Sequence, residues 1–213
     1  MPEKLPPPEL LESRIHVLEE LLGEFSSVDS VLPPDLRLRQ SRCGICSESI
    51  ALFLRGEGYQ AQAMIRHRIP FDDDHSGHVI AVVEAKDPLI IDATYSQFFK
   101  QFGIIEDYAN RPAKSVFPPE KIAIFRQSDV PVVAEWAAMV VERFQATHLD
   151  KAEHARYRRD HRWGELHVLT KSKAELEAYF ADIWNLDTYA PFEARQLVGS
   201  YAPTFAARLA AQN

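Results

Sequence analysis

The sequence predicts an α+β fold, in which one helix packs on an antiparallel sheet and further helices lie at both ends. Three observations carry this. Cys43 to Arg55 places Ile50, Ala51 and Leu54 at helical spacing from Cys43, and the run stops at Gly56 and Gly58. Three short apolar or alternating runs follow, at 59–69, 78–83 and 89–93, separated by polar turns. Beyond about residue 130 the apolar spacing is helical again.

In chain order, a proline-rich leader precedes Leu11, Ile15, Leu18, Leu22 and Phe25, which recur at steps of four and three. That is one stripe of an amphipathic helix, most simply packed on the core. The segment 26–34 reads as loop. After the central helix, Ala61, Ala63 and Ile65 alternate with Gln60, Gln62 and Arg66 in a first strand. His78-Val-Ile-Ala-Val-Val83 is a second strand and Leu89-Ile-Ile-Asp-Ala93 a third. Lys121 to Phe125 adds a possible fourth. Val132 to Gln145 is helical. Ser172-Lys-Ala-Glu175 is a capping-box pattern that opens a helix reaching Trp184. Phe192 to Ala211 reads as helix broken near Pro203. The organisation is thus a leader with amphipathic helix over 1–30, a catalytic-type core over 31–129 and a helical portion over 130–213 packed on that core.

A chain of 213 residues can bury a full core, and 46% apolar with 26% charged residues is ordinary for a globular protein. The formal charge of −7 argues against a nucleic-acid partner, since nothing overall favours a polyanion. No apolar run approaches the roughly 20 residues that span a bilayer, so no membrane partner is expected. The N-terminus lacks the apolar centre of a signal peptide, and two cysteines make no disulfide framework. The expected compartment is the cytoplasm, with export by a route needing no cleaved signal still compatible.

Both cysteines, Cys43 and Cys46, sit where a polar loop gives way to the central helix. Unpaired backbone N–H groups and the helix dipole favour thiolate there. Four readings compete. Cys-Gly-Ile-Cys has the spacing of a dithiol redox protein, but such motifs follow a buried apolar strand, and here Arg37-Leu-Arg-Gln-Ser-Arg42 precedes it. Cys43, Cys46, His75 and His78 have a zinc-like order, but the 28 residues between Cys46 and His75 are long for a compact finger. Buried thiols packing as small apolar side chains suit Cys46, on the face that meets the core.

The fourth reading makes Cys43 a nucleophile, which needs a base and an orienting acceptor for that base. His78 opens one predicted strand and Asp92 ends the next, 14 residues later. An antiparallel pair is expected to bring those positions side by side. A buried Asp92 also needs a partner, and His78 is the evident one. His67 and His75 lie in or beside the polar loop and read as solvated. Asp72-Asp-Asp74 reads as a solvated turn, Arg156, Arg158, Arg159 and Arg162 as an exposed charged face, and Trp136, Trp163 and Trp184 as core.

Arg42-Cys-Gly44, Leu54-Arg55, Gly58-Tyr59, Ala61, Gly77-His-Val79 and Ile91-Asp-Ala-Thr94 together resemble the core of the transglutaminase-like cysteine superfamily, whose fold is papain-like. The resemblance covers roughly residues 40–98. It implies a Cys-His-Asp triad of Cys43, His78 and Asp92 that attacks a carbonyl and forms a thioester, released to water or an amine. In that family's register the nucleophile stands 11 residues before the Leu of Leu-Arg and 15 before the Gly, which fits Cys43 and not Cys46. The segment from Gln40 to Cys46 is also similar to the papain segment, and that register makes Cys46 the alternative nucleophile. Gln40 and the Cys43 backbone N–H would form the oxyanion hole. No cofactor and no metal is implied, and the partner is a protein, peptide or small-molecule amide. Ile80 and Gly44 stand where relatives often carry Trp, so the substrate does not transfer. The expected function is amide hydrolysis, as a peptidase or glutamine deamidase. An acyltransferase using the same residues, and a binding module or dithiol redox protein, are the alternatives.

Overall fold

Proline is well placed at the start of a helix, where its missing N–H has no bond to lose. Helix α1 (Pro8–Glu12) starts this way. The computed structural model describes residues 5–14, 17, 42–67, 77–95, 97–100, 123–148, 171–193 and 196–211. The expected stripe from Leu11 to Phe25 is therefore seen only in part. α1 ends at a Ser13 C-cap: the Ser13 N–H still makes a helical bond to Glu9 O, and the Arg14 N–H makes a tighter one to Leu11 O. Leu11 and Val17 are both buried against the central helix's cluster, and Ile15, Leu18, Leu22 and Phe25 lie outside the described residues.

The central helix α2 spans Arg42–Gly56. Its stop is a Schellman-type cap: Tyr59 N–H donates to Leu54 O at 3.0 Å, Gly58 N–H donates to Arg55 O at 3.0 Å, and Gly58 sits at φ 85°. A Cβ at that φ is strained although the space beside it is open. Gly58→Ala is expected to cost about 1 kcal/mol, read as a lower urea midpoint at unchanged slope. An unaltered midpoint would remove the cap from the account of why α2 ends there.

Among the described residues five strands follow: β1 (Ala61–Arg66), β2 (His78–Val83), β3 (Leu89–Asp92), β4 (Ala123–Arg126) and β5 (Ala190–Pro191). They form one antiparallel sheet in the order β4-β3-β2-β1-β5. β1 is shorter than the expected 59–69 because Tyr59 is spent on the helix cap and His67 already lies in a bend. β3 stops at Asp92 because its side chain accepts from Thr94 N–H, turning the chain at Ala93. β5 carries no alternation in two residues, and pairs Pro191 with Met64 and Ala190 with Ile65.

Every residue of β2 is buried, as expected of a strand covered on both faces. On one face Ala81, Val83, Leu89 and Ile91 pack under Ile45, Cys46, Ile50 and Leu54 of α2. The last helix, α6 (Gln196–Ala210), lies on α2 through Ala202, Phe205, Ala206 and Leu209. Pro203 does not break it. The proline forfeits one intrahelical bond, and burial of those apolar side chains offsets the loss. On the opposite face Ile80, Val82, Ile90 and Phe125 meet α4 (Val130–His148) and α5 (Lys173–Ile183). The short helix α3 (Gln97–Lys100) sends Phe98 and Phe99 into that second cluster. Ser172 caps α5, accepting from Glu175 N–H while Glu175 takes the Ser172 N–H. The two face layers are what enclose the polar cluster described next.

Candidate functional site

Buried polar side chains are expensive unless they are paired, so the few in this core mark where the fold does something other than exclude water. Ser47, Ser49, His78 and Asp92 are the buried polar residues among those described. Ser49 Oγ donates to Ile45 O within α2. Ser47 Oγ donates to Val79 O at 2.8 Å, fastening α2 to β2 one turn beyond Cys43 and one residue beyond His78.

His78 and Asp92 are both fully enclosed, and Nε2 of the ring lies 2.8 Å from Asp92 Oδ2. They meet differently from the expected side-by-side pair. The register sets Ala81 opposite Ile91, which carries Asp92 opposite Ile80. His78 and Asp92 are therefore diagonal neighbours, two positions apart on one face, and the long side chains span the gap. That face is the one shared with Ile80 and Ile90, under α4 and α5. The His78 ring stands edge-on to Phe98 with centroids 4.6 Å apart.

Cys43 arrives from the other layer, in the first turn of α2. It belongs to a small cluster with Ala63 and Val79, flanked by Ile65 and Phe192. Its side chain acts on the His78 ring and raises the ring's pKa. The contact forms at the end of β2, where a residue on one face can be reached by a helix start from the other. Beside His78 the backbones of β1 and β2 approach closely: a Cβ on Gly77 would fall 2.9 Å from Arg66 O, and Arg66 is the register partner of His78. Gly44 is similarly tight, since a Cβ there would meet the Phe192 ring at 3.1 Å.

Cys46 is placed apart. It is buried in the cluster that α2 shares with α6, and neither cysteine is in a disulfide. The zinc order therefore splits, with Cys43 beside His78, Cys46 in the core and His75 outside the described residues. Among the described residues no group of three or more His, Cys, Asp or Glu is arranged around a metal position. Gln40, the Asp72–Asp74 turn, the arginines from 156 to 162 and Trp163 also lie outside the described residues. His67 is exposed.

Charge follows geometry here. Burial is the largest influence on His78 and works to lower its pKa. The Asp92 charge and hydrogen bond, with the Cys43 contact, together outweigh it and hold the ring at about 9. Tyr189 lies in the same field. Burial, then the Asp92 charge, push its phenol well above the usual range, so it stays a neutral donor, and its hydroxyl donates to Ile183 O at 2.7 Å.

Asp92 is held from every side. Oδ2 accepts from His78 and from Trp184 Nε1 at 3.0 Å, and Oδ1 accepts from Thr94 N–H at 3.0 Å. Sequence reasoning missed Ser47, Thr94, Tyr189 and Trp184. Asp-x-Thr is a turn signature that could have pointed to Thr94. Trp184 gave only an apolar signal, and a sequence separation of 92 from Asp92 hides the contact.

Comparison with protein-family models, curated proteins and solved structures returns no match. No helix among the described residues is long and apolar enough to cross a membrane.

Proposed function

We propose that the chain is a cysteine-nucleophile enzyme acting on an amide, with Cys43 as nucleophile, His78 as base and then acid, and Asp92 as the orienter. The single observation that carries this is the wholly buried His78–Asp92 hydrogen bond with the Cys43 thiol on the same ring. A buried ionisable pair contributes little to stability compared with apolar side chains of the same volume. Beside a thiol at a helix start, the same pair has a chemical use.

The steps follow from the ring's preference for its proton. The Cys43 proton passes to His78, giving a thiolate beside an imidazolium stabilised by Asp92. The thiolate attacks the carbonyl carbon, and the carbon–sulfur bond forms as the carbonyl electrons move to oxygen. Collapse breaks the carbon–nitrogen bond, and the imidazolium gives its proton to the leaving nitrogen. Water then attacks the thioester. His78 takes the water's proton, the carbon–sulfur bond breaks, and the acid departs. An amine in place of water gives transfer by the same route. On this reading α2 and the antiparallel sheet are a transglutaminase-like core, and peptide-bond cleavage or glutamine deamidation is the reaction class.

The test is the rate at which iodoacetamide modifies each cysteine below neutral pH, mapped by peptide mass spectrometry. Cys43 is expected to react about a hundredfold faster than Cys46, and His78→Ala to abolish the difference. Slow, equal modification of both thiols would sink the proposal. Mass spectrometry of candidate proteins treated with wild type or Cys43→Ala then separates the outcomes. Hydrolysis exchanges an amide for an acid, whereas transfer adds the mass of the amine.

A further inference from the structure

We propose that Trp184 is a positioning residue of this site, its indole N–H fixing the Asp92 carboxylate and, through it, the proton on His78. The inference rests on the cysteine-enzyme reading above and extends its machinery to the far end of the chain.

Trp184 is fully buried, and an indole N–H in that position needs an acceptor. A backbone carbonyl would serve if the ring were only filler. Instead Nε1 donates to Asp92 Oδ2, the same oxygen that receives His78. Two donors on Oδ2 and the Thr94 N–H on Oδ1 leave the carboxylate little freedom to rotate. The indole further limits the imidazole through a neighbour, since Phe98 stands edge-on to both rings.

The residue's placement is itself secured. Trp184 caps α5, stacks on Phe180 with centroids 5.8 Å apart and meets Phe125 edge-on at 5.3 Å. Two residues earlier, Asp182 is tied to β1 by the Arg66 guanidinium, which donates to its carbonyl and, at 2.6 Å, to its carboxylate. Arg66 is the register partner of His78. The anchor of the cap and the base of the site are therefore neighbours across one strand pair.

Two substitutions separate the N–H from the ring. Trp184→Phe keeps an aromatic side chain without the donor. Replacing Trp184 by benzothienylalanine, in which sulfur stands for the indole N–H, keeps the bicyclic shape and decides the matter where Trp184→Phe does not fold. In the full chain, His78 is followed by NMR of labelled histidine, assigned with His78→Gln, alongside the Cys43 alkylation rate. Both substitutions are expected to lower the His78 titration by about one unit and to slow Cys43 alkylation below neutral pH about tenfold. An isostere with the wild-type titration and rate overturns the inference, since packing alone then accounts for Trp184. Fast, His78-dependent alkylation that neither substitution changes leaves the enzyme reading standing and removes only Trp184. A wild-type Cys43 no faster than Cys46 removes both.

Discussion

Asp92→Ala is expected to be the most damaging single substitution in the chain, lowering stability by about 3–5 kcal/mol. The carboxylate has no exposure and takes hydrogen bonds from His78, Trp184 and Thr94. Its removal strands the imidazole, an indole N–H and a part-buried backbone N–H, and burial then drives the ring to its neutral form. Each unpaired donor adds a desolvation cost. Asp92→Asn keeps the shape but must present an amide NH₂ toward one set of donors, so it too is destabilised, by about 1–3 kcal/mol. Its effect on chemistry is larger than on folding. A neutral orienter favours the wrong tautomer of His78, and turnover is expected to fall about 10³- to 10⁴-fold, as in the general Ser-His-Asp case. Urea unfolding and single-turnover assays read the two effects separately. An Asp92→Ala protein within about 1 kcal/mol of wild type would mean that water or a rearranged neighbour satisfies those donors.

Stability is expected to fall as pH rises from 6.5 through about 9, the opposite of the behaviour of a buried carboxylate salt bridge. The sign comes from His78. Burial disfavours its charge, but the Asp92 charge and hydrogen bond and the Cys43 contact raise the folded pKa from 6.5 to about 9. The folded state thus holds the proton more tightly than the unfolded one. The stabilisation is complete below the unfolded value and vanishes as the folded ring loses its proton, for a total of about 3 kcal/mol. Unfolding free energies of wild type and His78→Gln, measured across that window, isolate the contribution by difference. A difference that is flat, or that grows with pH, would contradict the charged state assigned to the ring. The same deprotonation sets the alkaline limb of any activity, because the leaving nitrogen then has no acid to draw on.

The parts of the fold legible in the sequence are those with a repeating local cause. α2 shows a helical period closed by two glycines, β2 is an unbroken apolar run, and the Ser172–Glu175 box announces α5. His78 at the head of β2 and Asp92 at the end of β3 were likewise readable as neighbours, since a short turn between strands brings their ends together. Their diagonal relation was not, because register depends on turn geometry and which face is buried rather than on spacing. β5 has two residues and owes its place at the sheet edge to the register with β1. Pro203 misled because local propensity forbids what tertiary burial allows. Trp184 shows the same limit in the site: nothing near it in sequence distinguishes a core indole from one that donates to a carboxylate.

That last hydrogen bond has a consequence for the order in which the protein becomes competent. Chains emerge from the ribosome N-terminus first, so Cys43, His78 and Asp92 are all made well before Trp184. Until α5 docks, the carboxylate lacks one of its donors and the ring opposite it lacks the Phe98–Trp184 wall. On the cysteine-enzyme reading proposed above, reactivity arrives only with the closing of the tertiary structure, which spares the growing chain and its surroundings from a nucleophile armed too early.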